Sequence, residues 1–373
     1  MQYRRFGNTG IMISALGFGS MRLPGYEKDG EFFVDEEKSI EMIHRAFDLG
    51  VNYIDSAYGY CGGKSEIVVG KALKGYRDRV YVSTKVPTWH IKQKADYRRL
   101  LEEQLSKLDV EYIDFYHFHS LNRDSWENTV LKHDLLEDAQ KAKDEGLIKH
   151  ISFSFHDKPE LLMELADTGL FETLLCQYNL LDRSNEEAIA HANKKGLGIV
   201  IMGPVGGGRL ASPSEIIGKS LGGKDRSTPE VALRFVLGNP NVSCALSGMS
   251  SLKMVEENTR FASIEEPLSE KEWKKINETF EENKKLANLY CTGCEYCLPC
   301  PNGIKIPRVF TIMNYHKVYG ITDYAKKEFE KVGKEEEYGN SPSECVECGV
   351  CETKCPQNIK IRERLKESLT ELV

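Results

Sequence analysis

No apolar run in this sequence approaches the roughly 18 uninterrupted residues of a membrane-spanning helix, and no long tract of lysine and arginine occurs. The first lack argues against a helical membrane protein, and the second against nucleic acid as the main partner. The opening stretch, MQYRRFGNTGIMISALGFGS, is interrupted by glycine and polar side chains, so no secretory signal peptide is expected. A complete G-x-G-x-x-G is also missing. GFGSMR, after the first apolar strand, stops short of it, and with it goes the main sequence mark of a Rossmann unit. The charge balance is mildly acidic, 50 basic against 57 acidic residues, for a net −7. These features predict a cytoplasmic, reducing compartment, where clustered cysteines act as metal ligands rather than disulfides.

Cysteine is what the chain has in quantity. Eight of its 11 cysteines stand in two knots, CTGCEYCLPCP (residues 291–301) and CVECGVCETKCP (residues 345–356). The second is C-x2-C-x2-C-x3-C-P, the spacing of bacterial [4Fe–4S] ferredoxins, and the first is one residue shorter before its last cysteine. In two-cluster proteins three closely spaced thiolates hold one cluster, while the cysteine before proline reaches the other. The expected ligands are therefore Cys291, Cys294, Cys297 and Cys355 for one cluster, and Cys345, Cys348, Cys351 and Cys300 for its companion. Zinc is the competing reading, but two zinc sites would need no third cysteine at this spacing. Of the scattered cysteines, Cys176 and Cys244 read as core. Cys61 is a small loop residue or, with a depressed pKa, a reactive one.

Ahead of the knots, short β-type runs alternate with helical patterns. ISALGFG precedes DEEKSIEMIHRAFDLG, whose Ile40, Ile43, His44 and Phe47 share one face and whose Gly50 is a stop. VNYID, RVYVSTK, YIDFYHFH, IKHISFS, ETLLCQY, LGIVIMG and VSCALSG follow, each before a helical pattern, including one long helix near 124–145. About eight strand–helix units in roughly 260 residues predict a (β/α)8 barrel rather than an open doubly wound sheet. The expected division is a barrel over 1–263, a helical connector near the barrel mouth over 264–290, and a small, mainly α-helical ferredoxin-like domain over 291–373. Ser269 and Glu272 form a capping box for the connector helix, with Trp273, Ile276 and Phe280 as its apolar stripe.

Barrel chemistry sits at the C-terminal ends of the strands. There, in order, stand Asp55, Tyr60 in the following loop, Lys85 and His119. Each alone has a structural explanation as a cap, loop packing, solvated strand end or core histidine. Four such groups at successive strand ends point to one site. A tyrosine with a pKa near 10 is a weak acid at neutral pH unless its phenolate is stabilised. A lysine ammonium does that by proximity, an aspartate keeps the lysine charged, and a histidine orients a carbonyl oxygen. The set suits protonation of a carbonyl oxygen as hydride reaches its carbon.

The segments NYIDSAYGYCGGKSEIVVGKAL, VYVSTK, YIDFYHFH, CQYNLLDR and TPEVALRFVL resemble the aldo/keto reductase family over residues 1–263. The resemblance implies a catalytic tetrad of Asp55, Tyr60, Lys85 and His119, a small carbonyl substrate, and a nicotinamide cofactor, NADPH or NADH, at the barrel mouth. It places Ser154 and Gln177 on the carboxamide, Met202 beside the nicotinamide ring, and Gly248, Glu257 and Asn258 along the adenine end. Phe155 stands where that family carries Asn. The basic residues that hold a 2′-phosphate are absent, with Gly248 and Met254 near their places and only Lys253 close. GPVGGGRL (203–210) reads either as a phosphate loop carrying Arg209 or as a tight strand-to-helix turn. With the cysteine knots, the whole chain resembles aldo/keto reductases extended by a ferredoxin-like domain.

Hydride chemistry moves two electrons and iron–sulfur clusters move one, so a flavin is the usual converter, although the sequence carries no flavin motif. Three functions follow. The first is a reductase whose clusters exchange electrons with an outside redox partner. The second is a flavin-linked or partner-linked electron-transfer subunit with an altered nicotinamide site. In the third, the clusters are purely structural.

Overall fold

The chain opens with an antiparallel hairpin, β1 (Tyr3–Arg5) and β2 (Met12–Ser14). Its apolar side chains Phe6 and Ile13 are fully buried against Tyr53, Phe115, Val200 and Cys244, below the strands that follow. The approach is tight. A Cβ added at Gly198 would lie 2.2 Å from the Phe6 ring, so only glycine admits Phe6 there. Eight parallel strands then close into a barrel: β3 (Leu16–Gly19), β6 (Tyr53–Asp55), β7 (Tyr81–Val86), β8 (Ile113–Leu121), β9 (Ile148–Phe155), β10 (Thr173–Gln177), β11 (Gly198–Met202) and β12 (Cys244–Gly248). Neighbours in the ring follow chain order, and β12 pairs with β3 to complete it. This is the (β/α)8 architecture that the alternation predicts. The computed structural model describes residues 1–28, 31–211, 226–266, 268–288, 297–355 and 359–373.

Between β3 and the first helix, β4 (Gly25–Lys28) and β5 (Glu31–Val34) form a second hairpin that the sequence pattern did not reveal. Its strands are too short to display a period. Tyr26 and Phe33 stack across it at 5.5 Å, both exposed. The helix Glu36–Asp48 follows, capped by Asp35 and closed by Gly50 at φ 94. The expected long helix near 124–145 is broken. A π-helical turn runs Trp126–Leu131, Asp134 adopts φ 51, and a fresh helix spans Leu135–Asp144. Trp126 and Val130 share one buried stripe, while Leu135, Ala139 and Ala142 form another. The five-residue step between the stripes does not fit i, i+3 or i+4, so one straight helix cannot bury both.

Two units separate by their contacts, residues 1–207 with 232–267, and residues 208–231 with 268–373. The segment after β11 thus joins the C-terminal unit, where Arg226 pairs with Glu272 at 2.9 Å. In that unit the helix Glu270–Asn288 begins with a reciprocal cap. Glu272 accepts from Ser269 N at 2.8 Å, and Ser269 Oγ accepts from Glu272 N at 3.3 Å. Ile276 is fully buried, and the side chain of Phe280 lies outside the described residues. Helices Ile306–Lys317, Thr322–Phe329 and Ile361–Glu371 enclose a core of their own, including Val309, Phe310, Met313, Ala325 and Leu365. The stretches PRVFTIMNYHKVYG and DYAKKEFEKVG are therefore largely helical. No helix among the described residues is long and apolar enough to cross a membrane.

Candidate functional site

Asp55, Lys85 and His119 stand at or near the C-terminal ends of the adjacent strands β6, β7 and β8. Lys85 Nζ donates to Asp55 Oδ2 and to the carbonyl of Ser56, each at 2.6 Å. Ser83 Oγ donates to the other carboxylate oxygen at 2.9 Å. The strand under Lys85 is held from behind, where Gln104 Nε2 donates to the Lys85 carbonyl at 3.0 Å and to buried Glu66 at 2.5 Å.

Tyr60 lies in the loop after β6. Cys61, Gly62 and Gly63 all take positive φ (54°, 62° and 80°), and this left-handed run returns the chain toward the helix Ser65–Leu73. The turn leaves Lys85 Nζ 4.9 Å from the centroid of the Tyr60 ring. Burial raises the phenol pKa, and the Lys85 ammonium opposes that rise by charge and hydrogen bond. Burial alone would lower the Lys85 pKa, but Asp55 and Tyr60 hold it up, so the ammonium persists without solvent. Cys61 does not become acidic. Burial raises its thiol, and its sulfur lies 3.6 Å from the carbonyls of Ser20 and Met21. It serves as a turn residue.

His119 sits where the β8–β9 register shifts, between Phe118 and Leu121, beside Ser120 at φ 57. Such a bulge re-aims a strand-end side chain. The His119 ring is edge-on to Tyr60 at 6.2 Å. Burial and the nearby Lys85 charge lower its pKa to about 2, so the imidazole is neutral at physiological pH. Among the described residues its Nδ1 is buried without a hydrogen-bond partner. The structure thus brings the four residues into one cluster. It also supplies a residue that pattern reading missed, Trp89, which is 57% exposed and packs 4.8 Å from the His119 ring. The only signal for it was an aromatic four positions after Lys85 in a post-strand loop.

Of the residues assigned to a nicotinamide cofactor, Ser154, Gln177, Met202 and Gly248 lie at strand ends, and Glu257 and Asn258 lie on the helix Leu252–Ala262. Ser154 is buried near the end of β9 and accepts from Ser120 N at 2.7 Å, which leaves its own O–H to donate. Gln177 and Met202 are register partners at the ends of β10 and β11, and Gly248 ends β12. A hydroxyl and an amide on neighbouring strands fit a carboxamide, which needs both a donor and an acceptor. The adenine-end residues are more occupied. Asn258 Nδ2 donates to Ser247 Oγ at 3.2 Å, and Glu257 pairs with Lys253 at 3.8 Å. Phe155 is buried, with its ring against Phe153. Arg209 belongs to the C-terminal unit, where its guanidinium stands 5.3 Å over the Tyr315 ring. Gly206, Gly207 and Gly208 all take positive φ, the conformation of a tight turn. A different arginine reaches this region of the barrel. Arg22 Nη2 donates to the Gly207 carbonyl at 2.7 Å, and its aliphatic stem covers the Cα of Gly248. Nothing in the sequence distinguished Arg22 from other loop arginines.

In the C-terminal unit, Cys297, Cys300, Cys345, Cys348 and Cys351 line one recess. Glu347 and Gly349 take φ 54° and 75°, which coils the Cys345–Cys351 loop around that space. Pro299, Ile304, Ile306 and Leu365 complete an apolar wall, and Cys355 packs against the same core. Cys291 and Cys294 lie outside the described residues. Among the described residues no three His, Cys, Asp or Glu side chains are grouped as a single-ion site needs.

Comparison with known proteins agrees with both halves. The model of the aldo/keto reductase family matches residues 15–281, and that of a 4Fe-4S dicluster domain matches residues 290–359. The L-galactose dehydrogenase of Arabidopsis thaliana is 29% identical over 287 residues, 69% of this chain and 87% of that protein. Among solved structures, an aldo-keto reductase from Bacillus halodurans in its holo form aligns with a TM-score of 0.64 at 28% identity, covering 74% of this chain and 96% of its own. An aldo-keto reductase from Klebsiella pneumoniae in complex with NADPH aligns with a TM-score of 0.63 at 25% identity, covering 75% and 95%.

Proposed function

The chain belongs to the aldo/keto reductase family and carries a C-terminal domain of the 4Fe-4S dicluster type; from this we propose that it reduces a small carbonyl compound with a nicotinamide cofactor, and that its eight clustered cysteines hold two [4Fe–4S] clusters that exchange electrons with an outside partner. The observation that carries the reductase reading is the sealed Asp55–Lys85 pair beneath Tyr60, with a neutral His119 at the ring's edge.

Each chain residue has a separable task. Tyr60 gives its phenolic proton to the carbonyl oxygen as that oxygen gains charge. Lys85, 4.9 Å from the ring, stabilises the phenolate left behind, and Asp55 keeps Lys85 charged where solvent cannot. His119 is neutral, so it orients the carbonyl by hydrogen bonding and does not compete as an acid. Trp89 offers an apolar wall beside it. Ser154 and Gln177 would hold the carboxamide of a bound nicotinamide, with Met202 beside the ring and Arg22 near the phosphates. Bound there, the cofactor supplies the hydride that reaches the carbonyl carbon.

In the C-terminal unit, Cys345, Cys348, Cys351 and Cys300 would ligate one cluster, and Cys291, Cys294, Cys297 and Cys355 the other. Cys348 is exposed between Val346 and Val350, which are 65% and 43% exposed, so an outside redox partner reaches the unit from that side.

A second reading, an electron-transfer subunit that has lost nicotinamide binding, is favoured by the engagement of Asn258 with Ser247 and of Glu257 with Lys253. One experiment separates the two. Protein prepared without oxygen, with its iron content and visible absorbance measured, is given NADPH and, separately, NADH. Tight binding together with consumption of either cofactor on a panel of carbonyl compounds supports the reductase. Absence of binding, or the presence of a tightly held flavin, supports the second reading. Bleaching of the cluster absorbance on cofactor addition would show electrons passing from nicotinamide to clusters.

A further inference from the structure

We propose that Arg362 donates its Nε–H to the sulfur of the cluster held by Cys345, Cys348, Cys351 and Cys300, and so makes that cluster the more easily reduced of the two. This rests on the reading that the recess holds a cluster.

The argument starts from an unused donor. Arg362 begins the second position of the helix Ile361–Glu371 and lines the recess with those four cysteines. Its fork is already fixed. Nη2 donates to Glu352 Oε2 at 2.8 Å, Nη1 to the Glu347 carbonyl at 3.3 Å, and its backbone N–H to Glu352 Oε1 at 2.9 Å. The guanidinium lies against the cysteine loop, since a Cβ added at Gly349 would stand 3.9 Å from its Cζ. Among the described residues, Nε is buried and without an acceptor. A buried N–H left unpaired is costly, and native proteins rarely keep one without a reason. The described residues offer no acceptor for it, whereas a cluster in the recess would bring sulfur atoms that accept hydrogen bonds.

Hydrogen bonds to cluster sulfur are one of the terms that set a reduction potential. A donor favours the reduced form because that form carries one more negative charge. The salt bridge to Glu352 largely neutralises the guanidinium, so its effect comes from the directed Nε–H rather than from net charge. The expected consequence is an ordered pair of clusters, with the electron resting on the one nearer the exposed Cys348.

The test is an anaerobic redox titration followed by electron paramagnetic resonance on the full chain, with iron and sulfide measured for each sample. R362K keeps the charge and can still pair with Glu352, but has no Nε–H. R362Q loses the charge as well. Both variants should lower the midpoint of one cluster by about tenfold in its reduction equilibrium, about 59 mV for one electron, and leave the other cluster's midpoint in place. Unchanged midpoints in both variants overturn the proposal. So does a shift in R362Q with none in R362K, since charge alone would then be responsible. If R362Q assembles poorly, R362K still decides. Wild-type protein without iron and sulfide would instead overturn the cluster reading beneath it.

Discussion

Lys85 Nζ and Asp55 Oδ2 lie 2.6 Å apart with their side chains only 1% and 2% exposed. Two charges sealed this well depend on each other. Replacing Lys85 with Met leaves a buried carboxylate uncompensated and should destabilise the fold by about 3–5 kcal/mol. The double variant K85M/D55L should recover much of that stability and none of the activity. Urea unfolding beside a carbonyl-reduction assay reads both. A double variant no more stable than K85M would show that the pair's packing matters more than its charge.

Y60F should lower carbonyl reduction by roughly 10²–10⁴-fold, the range of general acid catalysis, with cofactor affinity unchanged. Burial raises the Tyr60 pKa, so in the wild type the proton is in place at neutral pH, and reduction should fall only when alkali ionises the phenol. Steady-state kinetics against pH, with cofactor binding followed by fluorescence, provide the check. Turnover that survives in Y60F removes Tyr60 from the role of acid.

His117 and His119 are buried with pKa values lowered to about 3 and about 2. The unfolded chain protonates them near pH 6.5. Between these limits the unfolded state binds more protons, so stability is full above about pH 6.5 and declines as pH falls. Each histidine contributes a slope of about 1.4 kcal/mol per pH unit in that window. Denaturation midpoints for H117L between pH 4 and pH 7 should show a shallower loss than the wild type. Parallel curves would mean that His117 titrates normally in the folded protein.

C300S should remove the fourth ligand from the cluster of Cys345, Cys348 and Cys351, lowering iron by about half and leaving one set of paramagnetic signals. C345S should have the same spectral consequence, because both cysteines serve one cluster in the crossed arrangement. Loss of different signals in the two variants would mean that each knot holds its own cluster.

R22A removes a guanidinium that donates to the Gly207 carbonyl and an aliphatic stem that packs against Gly248. It should raise the KM for the nicotinamide cofactor by about tenfold with little change in kcat, as expected when a phosphate partner is lost. An unchanged KM would leave Arg22 as a purely structural tie.

The barrel was legible because each strand and helix states its period locally and eight units in succession leave few other topologies. Strand ends could therefore be read from the sequence, and with them Asp55, Lys85 and His119. The cysteine knots were legible because ligand spacing is itself a sequence property. Less could be read where two segments decide together. The break at Asp134 follows from two apolar stripes out of phase, and the second hairpin follows from Tyr26 meeting Phe33.

Residue order by itself determined the repeat, the strand-end ionisable groups and the two thiol clusters, since these depend on period and spacing along one strand or loop. Tertiary structure alone decided that Lys85 is held by both Asp55 and the Ser56 carbonyl, that Asn258 turns to Ser247, and that Arg209 leaves the barrel for Tyr315 while Arg22 takes a place beside Gly248. Among the described residues it likewise left the Arg362 Nε–H buried without an acceptor in a wall of cysteines. Long polar side chains have many acceptors within reach, and only the folded arrangement of neighbours fixes which of them each one meets.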